Sequence, residues 1–152
     1  MPLTWTTRVQ IETAFWNLVM TAQGFAQNSP RFVHWDQVTS GTQLPYLTKL
    51  KTGEERIRQT DGTPAIKFYY HVFVYTMTGQ LGTDPEPAMN NLLDAVDYAV
   101  MASGSDQFEN RQTLGGLVYY CQPRGRAFVD AGETDGKGVA AIPFEILAPW
   151  FV

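Results

Sequence analysis

Apolar and polar residues alternate most sharply in AIKFYYHVFVYTMTG, residues 65–79. Ile66, Phe68, Tyr70, Val72 and Val74 share one parity, and Lys67, Tyr69, His71, Phe73 and Tyr75 share the other. A strand there presents one core-like face and one mixed aromatic and polar face, the latter with the composition of a subunit contact or a partly covered surface. Helical spacing replaces alternation in two stretches. Over residues 6–23, Ile11, Phe15, Leu18, Val19 and Ala22 form a stripe that Trp16 and Met20 widen, with Thr6 or Thr7 as the starting cap and Gly24 as the stop. Further on, Met89, Leu92, Leu93, Val96 and Val100 trace a second stripe, with Asn90, Asn91, Asp94 and Asp97 taking much of the other side. Asp84 followed by Pro85 marks the start of this helix, and its end is expected near Ala102.

Shorter signals fill the gaps. Residues 44–51 and 55–59 read as a hairpin closed by Thr52, Gly53 and Glu54, and DGTP at residues 61–64 is a second stop. Residues 117–122 form the next strand, QPRG is a tight turn, and residues 126–130 return. The last strand, residues 139–147, contains Pro143, which requires an edge position or a bulge. Two helices among runs of antiparallel strands predict an α+β fold: a mainly antiparallel sheet of about five or six strands packed with two amphipathic helices, in one domain spanning residues 1–152. The helices cover one sheet face, which leaves the other to a partner or to a polar surface.

Composition narrows the classes. The chain has 152 residues, 44% hydrophobic and 17% charged, an ordinary globular balance with enough apolar residues for one core. Its aromatic share of 13% is high, which favours cores and interfaces. A net charge of −4 argues against a general nucleic-acid binder. One cysteine excludes an intrachain disulfide and fits a reducing compartment. The first stretch is interrupted by Arg8, Gln10, Glu12 and Asn17, so it does not read as a signal peptide or a membrane span, and a soluble cytosolic product is expected.

Catalytic chemistry finds little purchase. NRQTLGGLVYYC, residues 110–121, matches neither G-x-G-x-x-G nor the Walker pattern, and a strand follows where a phosphate loop needs a helix. Gly115 and Gly116 read instead as a bent strand start. Cys121 reads as a packed thiol, with His34 and His71 the only histidines available as bases. No metal-ligand spacing occurs, and Asp94 with Asp97 reads as a solvated helix face. No catalytic, cofactor-binding or metal residues are assigned. Lys49 and Lys51 share one parity, and Arg56 and Arg58 share another; folded as a hairpin, all four line one side. Such a set makes an electrostatic contact with DNA phosphate or an acidic protein ring, or protects an exposed sheet edge from aggregation.

The C-terminal third, with NRQTLGGLVYYC followed by DAGETDGKGVAAIPFEILAPW, resembles the end of phage tail terminator proteins, a group also described as minor tail or tail completion proteins. PEPAMNNLLDAVDYAV and FVHWDQV look similar too, so the resemblance covers about half the chain. It implies a structural α+β subunit, not an enzyme, that forms a ring, usually a hexamer. The ring caps the head-proximal end of the tail tube, stops its polymerisation and joins it to the head connector. The implied partners are other copies of the chain, the tail tube protein, the connector protein and genomic DNA sliding through the lumen without sequence-specific binding. The implied place is the tail–head junction of a virion assembled in the host cytoplasm, with no membrane and no cofactor. A closed ring needs two different patches per subunit. The candidates are Lys49, Lys51, Arg56 and Arg58, the aromatic face of Tyr69, Phe73 and Tyr75, and two loops, residues 79–87 and residues 103–112, the latter including Arg111 and Gln112. The competing readings are a neighbouring head-completion or neck protein, and a small enzyme with an unrecognised site, for which His71 and Cys121 are the only candidate chemistry.

Overall fold

The computed structural model describes residues 7–38, 43–77, 84–101, 111–133 and 135–150. Helix α1 spans Arg8–Val19, followed by strand β1 at Gln27–Ser29 and a 3-10 turn at Trp35–Gln37. Strands β2 (Tyr46–Arg58) and β3 (Pro64–Met77) lead into helix α2 (Glu86–Ala99). Strands β4 (Tyr120–Pro123), β5 (Phe128–Asp130) and β6 (Lys137–Pro149) complete one sheet. Its order is β1-β2-β3-β6-β4, with β5 also pairing β6; only the β1–β2 pair is parallel. The fold is therefore α+β, with two helices and a six-stranded, mainly antiparallel sheet.

Both helices lie on one face of the sheet. Ile11, Phe15, Trp16 and Val19 of α1, and Met89, Leu92 and Val96 of α2, meet Ile66, Phe68, Tyr70, Val72 and Val74 of β3 in one core. The opposing β6 residues are Ala148, Ile146, Phe144, Ile142 and Ala140 in register. The alternation in β3 thus sends its even-numbered side chains inward, and Phe15 seals the centre by packing 5.1 Å from Tyr70 and 5.3 Å from Phe144. The start of α1 is fixed by Thr7, whose hydroxyl accepts the Gln10 N–H while the Gln10 side chain accepts the Thr7 N–H. At α2 the Asp84 carboxylate accepts the Glu86 N–H at 3.0 Å. That helix ends at Ala99, short of the expected Ala102, which itself lies outside the described residues.

Three local expectations are corrected. Residues 46–58 form a single strand, not a hairpin; Thr52 and Gly53 are a β-bulge, at which the register against β3 shifts between Lys51 and Gly53. The real hairpin turn is at residues 59–63, where the Gln59 N–H donates to the Thr63 carbonyl and Gly62 takes φ 85°. Burial decides the matter: a chain reversal at Gly53 would have left the inward residues Ile66 and Phe68 of β3 without their partners Arg56 and Glu54. Next, β4 and β5 do not form a hairpin with each other. Both pair antiparallel with β6, so they are two pieces of one edge strand broken at residues 124–127. The break faces Pro143, whose carbonyl accepts the Arg124 N–H at 2.9 Å and which has no N–H to return. Neither the edge position nor the bulge expected of Pro143 is found in β6, which pairs with β3 without a register shift and is flanked on both sides; the irregularity falls in the neighbouring edge strand instead. Finally, the strand expected from residue 117 begins at Tyr120. Leu114, Gly115 and Gly116 all have positive φ (53°, 72° and 89°) and make a tight turn closed by the Val118 N–H on the Thr113 carbonyl.

Candidate functional site

The face of the sheet away from the helices is built from the odd-numbered residues of β3 and β6 and their partners on β2 and β4. At one end it is covered by residues 31–38, which cross from β1. Phe32 packs 5.2 Å from Phe73, and Trp35 packs 6.2 Å from Tyr75 and donates its Nε1–H to the Gly138 carbonyl. The Tyr75 hydroxyl donates to the Val33 carbonyl at 2.7 Å, and Tyr75 is buried. Of the three aromatic candidates, Tyr75 is thus consumed internally. Phe73 is half-buried under Phe32, and Tyr69 is half-buried toward the opposite end, which no described segment covers.

That end holds a polar cluster around Glu145. Glu145 lies opposite Tyr69, is only 5% exposed, and accepts hydrogen bonds from the Tyr120 hydroxyl at 2.8 Å and the Arg124 guanidinium, with Lys67 Nζ at 3.4 Å. Burial pushes the Glu145 carboxyl up, but the two hydrogen bonds and the charges of Lys67 and Arg124 outweigh it, so the group ends below its ordinary value. Burial, with the Glu145 hydrogen bond added, pushes Tyr120 up to about 12. Next to it, Tyr69 donates to Glu55 at 2.9 Å, and its own value is raised chiefly by that hydrogen bond. Two carboxylates and two cations balance here, so the patch has no net sign. The sequence pattern does not mark Glu145, Tyr120, Arg124 and Lys67 as a set. The available signal was a lone carboxylate at outward parity in the otherwise apolar AIPFEILAP.

The basic candidates do share one side, and the bulge is the reason. It resets parity, so that Lys49, Lys51, Glu54 and Arg56 stand opposite Val72, Tyr70, Phe68 and Ile66, all on the helix face. Their fates differ. Lys49 is 4% exposed; its ammonium binds Glu12 at 2.8 Å and the Pro30 carbonyl at 3.0 Å, over the rings of Trp16 and Tyr70. It is not offered to a partner. Lys51 contacts Glu54, which also takes Arg8 at 2.7 Å. The Arg8 hydrogen bond, with help from Lys51, holds the Glu54 carboxyl down at about 2. Arg56 stacks over Trp150 at 5.2 Å and Arg58 donates to the Gly62 carbonyl at 3.1 Å; both are exposed, and neither has a carboxylate partner among the described residues.

Arg111 is exposed, whereas Gln112 is buried, donating to the Met101 carbonyl and accepting the Leu114 N–H. The rest of the two candidate loops, residues 79–83 and 103–110, lies outside the described residues. Cys121 is buried opposite Ile146 on the helix face, and burial pushes its thiol up to about 12, so it is protonated at neutral pH. His71 lies opposite Pro143 on the other face, so the sheet separates the two groups that an enzyme reading would combine. His34 instead caps the 3-10 turn, accepting the Asp36 N–H. Asp94 and Asp97 are exposed on α2, and Asp97 is raised by partial burial and by Asp94.

Grooves among the described residues include two that flank α2. One, of about 670 Å³, is largely apolar and runs between α2 and the β2–β3 ends, lined by Leu44, Pro45, Met77, Leu92 and Ala95. The other, of about 510 Å³, lies between β5 and the start of α2, where Asp84, Glu86 and Glu133 bring carboxylate oxygens within 4.8 Å of one another on the exposed surface. No described helix is long and apolar enough to cross a membrane. No protein-family model matches the chain, and no curated protein matches it.

Proposed function

We propose that this chain is a structural subunit of a phage tail terminator: a ring that caps the head-proximal end of the tail tube, stops its growth and joins it to the head connector. The observation that supports it most is the sheet face opposite the helices. Tyr69, His71 and Phe73 are only half-buried there, around a charge-balanced cluster centred on Glu145. Such a surface, aromatic and polar with no net charge, has the make-up of a protein–protein contact. The motifs RQTLGGLV and GVAAIPFEILAP supply the resemblance to the tail terminator group, and they occupy the turn before β4 and all of β6 after Lys137. Closed cyclic symmetry with a hexameric ring gives about six copies per particle. The reading is tested by deletion. Loss of the chain yields headless tails of irregular length; normal-length tails joined to heads in its absence would contradict it.

A further inference from the structure

The four basic residues divide once the structure is known. Lys49 and Lys51 are held within the subunit, while Arg56 and Arg58 remain exposed at the far end of β2 without carboxylate partners among the described residues. The acidic groove lies at the other corner of the same sheet. It is lined by Glu86, Asn90, Phe128, Val129, Asp130 and Glu133. Phe128 is 61% and Val129 45% exposed on the outermost strand. Asp84, Glu86 and Glu133 crowd together there with no cation within ion-pair distance among the described residues. Exposed carboxylates grouped this closely can present several oxygens to one cation.

One copy cannot satisfy both corners itself. Arg58 pairs with Pro64 at one end of β3, whereas Asp130 lies level with Tyr75 at the other end, through Val139. The separation along the strands is about 36 Å, and three strand spacings add about 14 Å across the sheet. The chemistry of the corners is also matched. A guanidinium takes carboxylates through its planar fork and stacks on an aromatic face, and the groove offers both beside each other.

We propose that the groove between β5 and the start of α2 receives the Arg56–Arg58 corner of a second copy of this chain, head to tail. The contact joins two different patches, so it repeats from copy to copy and closes a ring when the rotation permits. This rests on the ring reading above and names the surfaces that such a ring uses.

The test is sedimentation velocity on the full chain over a range of concentrations, with circular dichroism to confirm folding. Four proteins are compared: wild type, R56E/R58E, E86K/E133K, and all four substitutions combined. Each pair weakens self-association about a hundredfold, because like charges then face each other, and the combination restores it. Wild-type association also weakens as salt rises. Association unchanged by either folded pair overturns these surfaces and leaves the ring reading standing. A combination that fails to restore association while folded overturns the pairing of the two corners. A wild-type chain that stays monomeric at every concentration overturns the self-contact and leaves the ring reading to its copy number in particles. The same runs with calcium or with a chelator separate the remaining occupant: association is expected to be indifferent to both. Loss of association in chelator, regained with calcium, would assign the acidic groove to a divalent cation and overturn the proposal.

Discussion

Lys49 shows how much a single register decides. On sequence it belongs to a basic set with a partner to find; in the structure it is the most deeply buried cation described, clasped by Glu12, the Pro30 carbonyl and two aromatic rings. Nothing local to Lys49 announces this, because Glu12 is on a helix distant in sequence and the bulge at Thr52 is silent in the hydrophobic pattern. The pair is also unequal. Glu12 is 49% exposed and keeps its water if the lysine is removed, whereas the lysine has no such recourse. Lys49→Met, which preserves the stem, is therefore expected to change stability by less than about 1 kcal/mol. Glu12→Gln leaves a buried ammonium with only neutral partners and is expected to cost about 2 kcal/mol. Urea unfolding of both variants checks the order; a larger loss for Lys49→Met would contradict it. Glu145 was unreadable for the same reason as Lys49: its partners Tyr120, Arg124 and Lys67 come from three other segments of the chain.

Elements were legible where one periodicity ran without interruption. The faces of β3 follow its alternation, and the stripes of α1 and α2 bury the residues the spacing selects, Ile11, Phe15 and Val19 in one and Met89, Leu92 and Val96 in the other. Glycine and proline were the source of the strand errors, since the same residue marks a turn in one setting and a bulge in another. Gly53 reads as a hairpin turn and is a bulge, while the Asp61–Gly62 pair read as a stop is the turn. Pro143 breaks its neighbour into β4 and β5 because it has no N–H to donate across the ladder. The double glycine at 115–116 continues a left-handed path begun by Leu114, whose buried side chain anchors the turn despite its φ of 53°. A Cβ at Gly116 meets no heavy atom within 4 Å, so the effect of a side chain there is conformational alone. Gly116→Ala is expected to destabilise by about 1–2 kcal/mol. A thermal melt reads this directly, and a neutral result would mean that the turn is not held in this path.

At the scale of the whole molecule, the helices protect one face of a six-stranded sheet and a short aromatic segment protects part of the other. Among the described residues, the open surfaces include the aromatics flanking the Glu145 cluster, an apolar groove beside α2, and two corners of opposite charge. A subunit that leaves different surfaces open at different ends is suited to repeat head to tail, and a ring is the closed form of that repetition. The α+β class was legible from element order alone; the charge separation between corners was not, because it depends on which cations are already paired inside the subunit. The most direct test of the ring is the copy number of this chain in purified phage particles, by quantitative mass spectrometry against the tail tube protein. The account predicts about six copies per particle. Copy numbers in the hundreds would make it a tube or shell protein, and its absence from the particle would contradict a structural role in the tail.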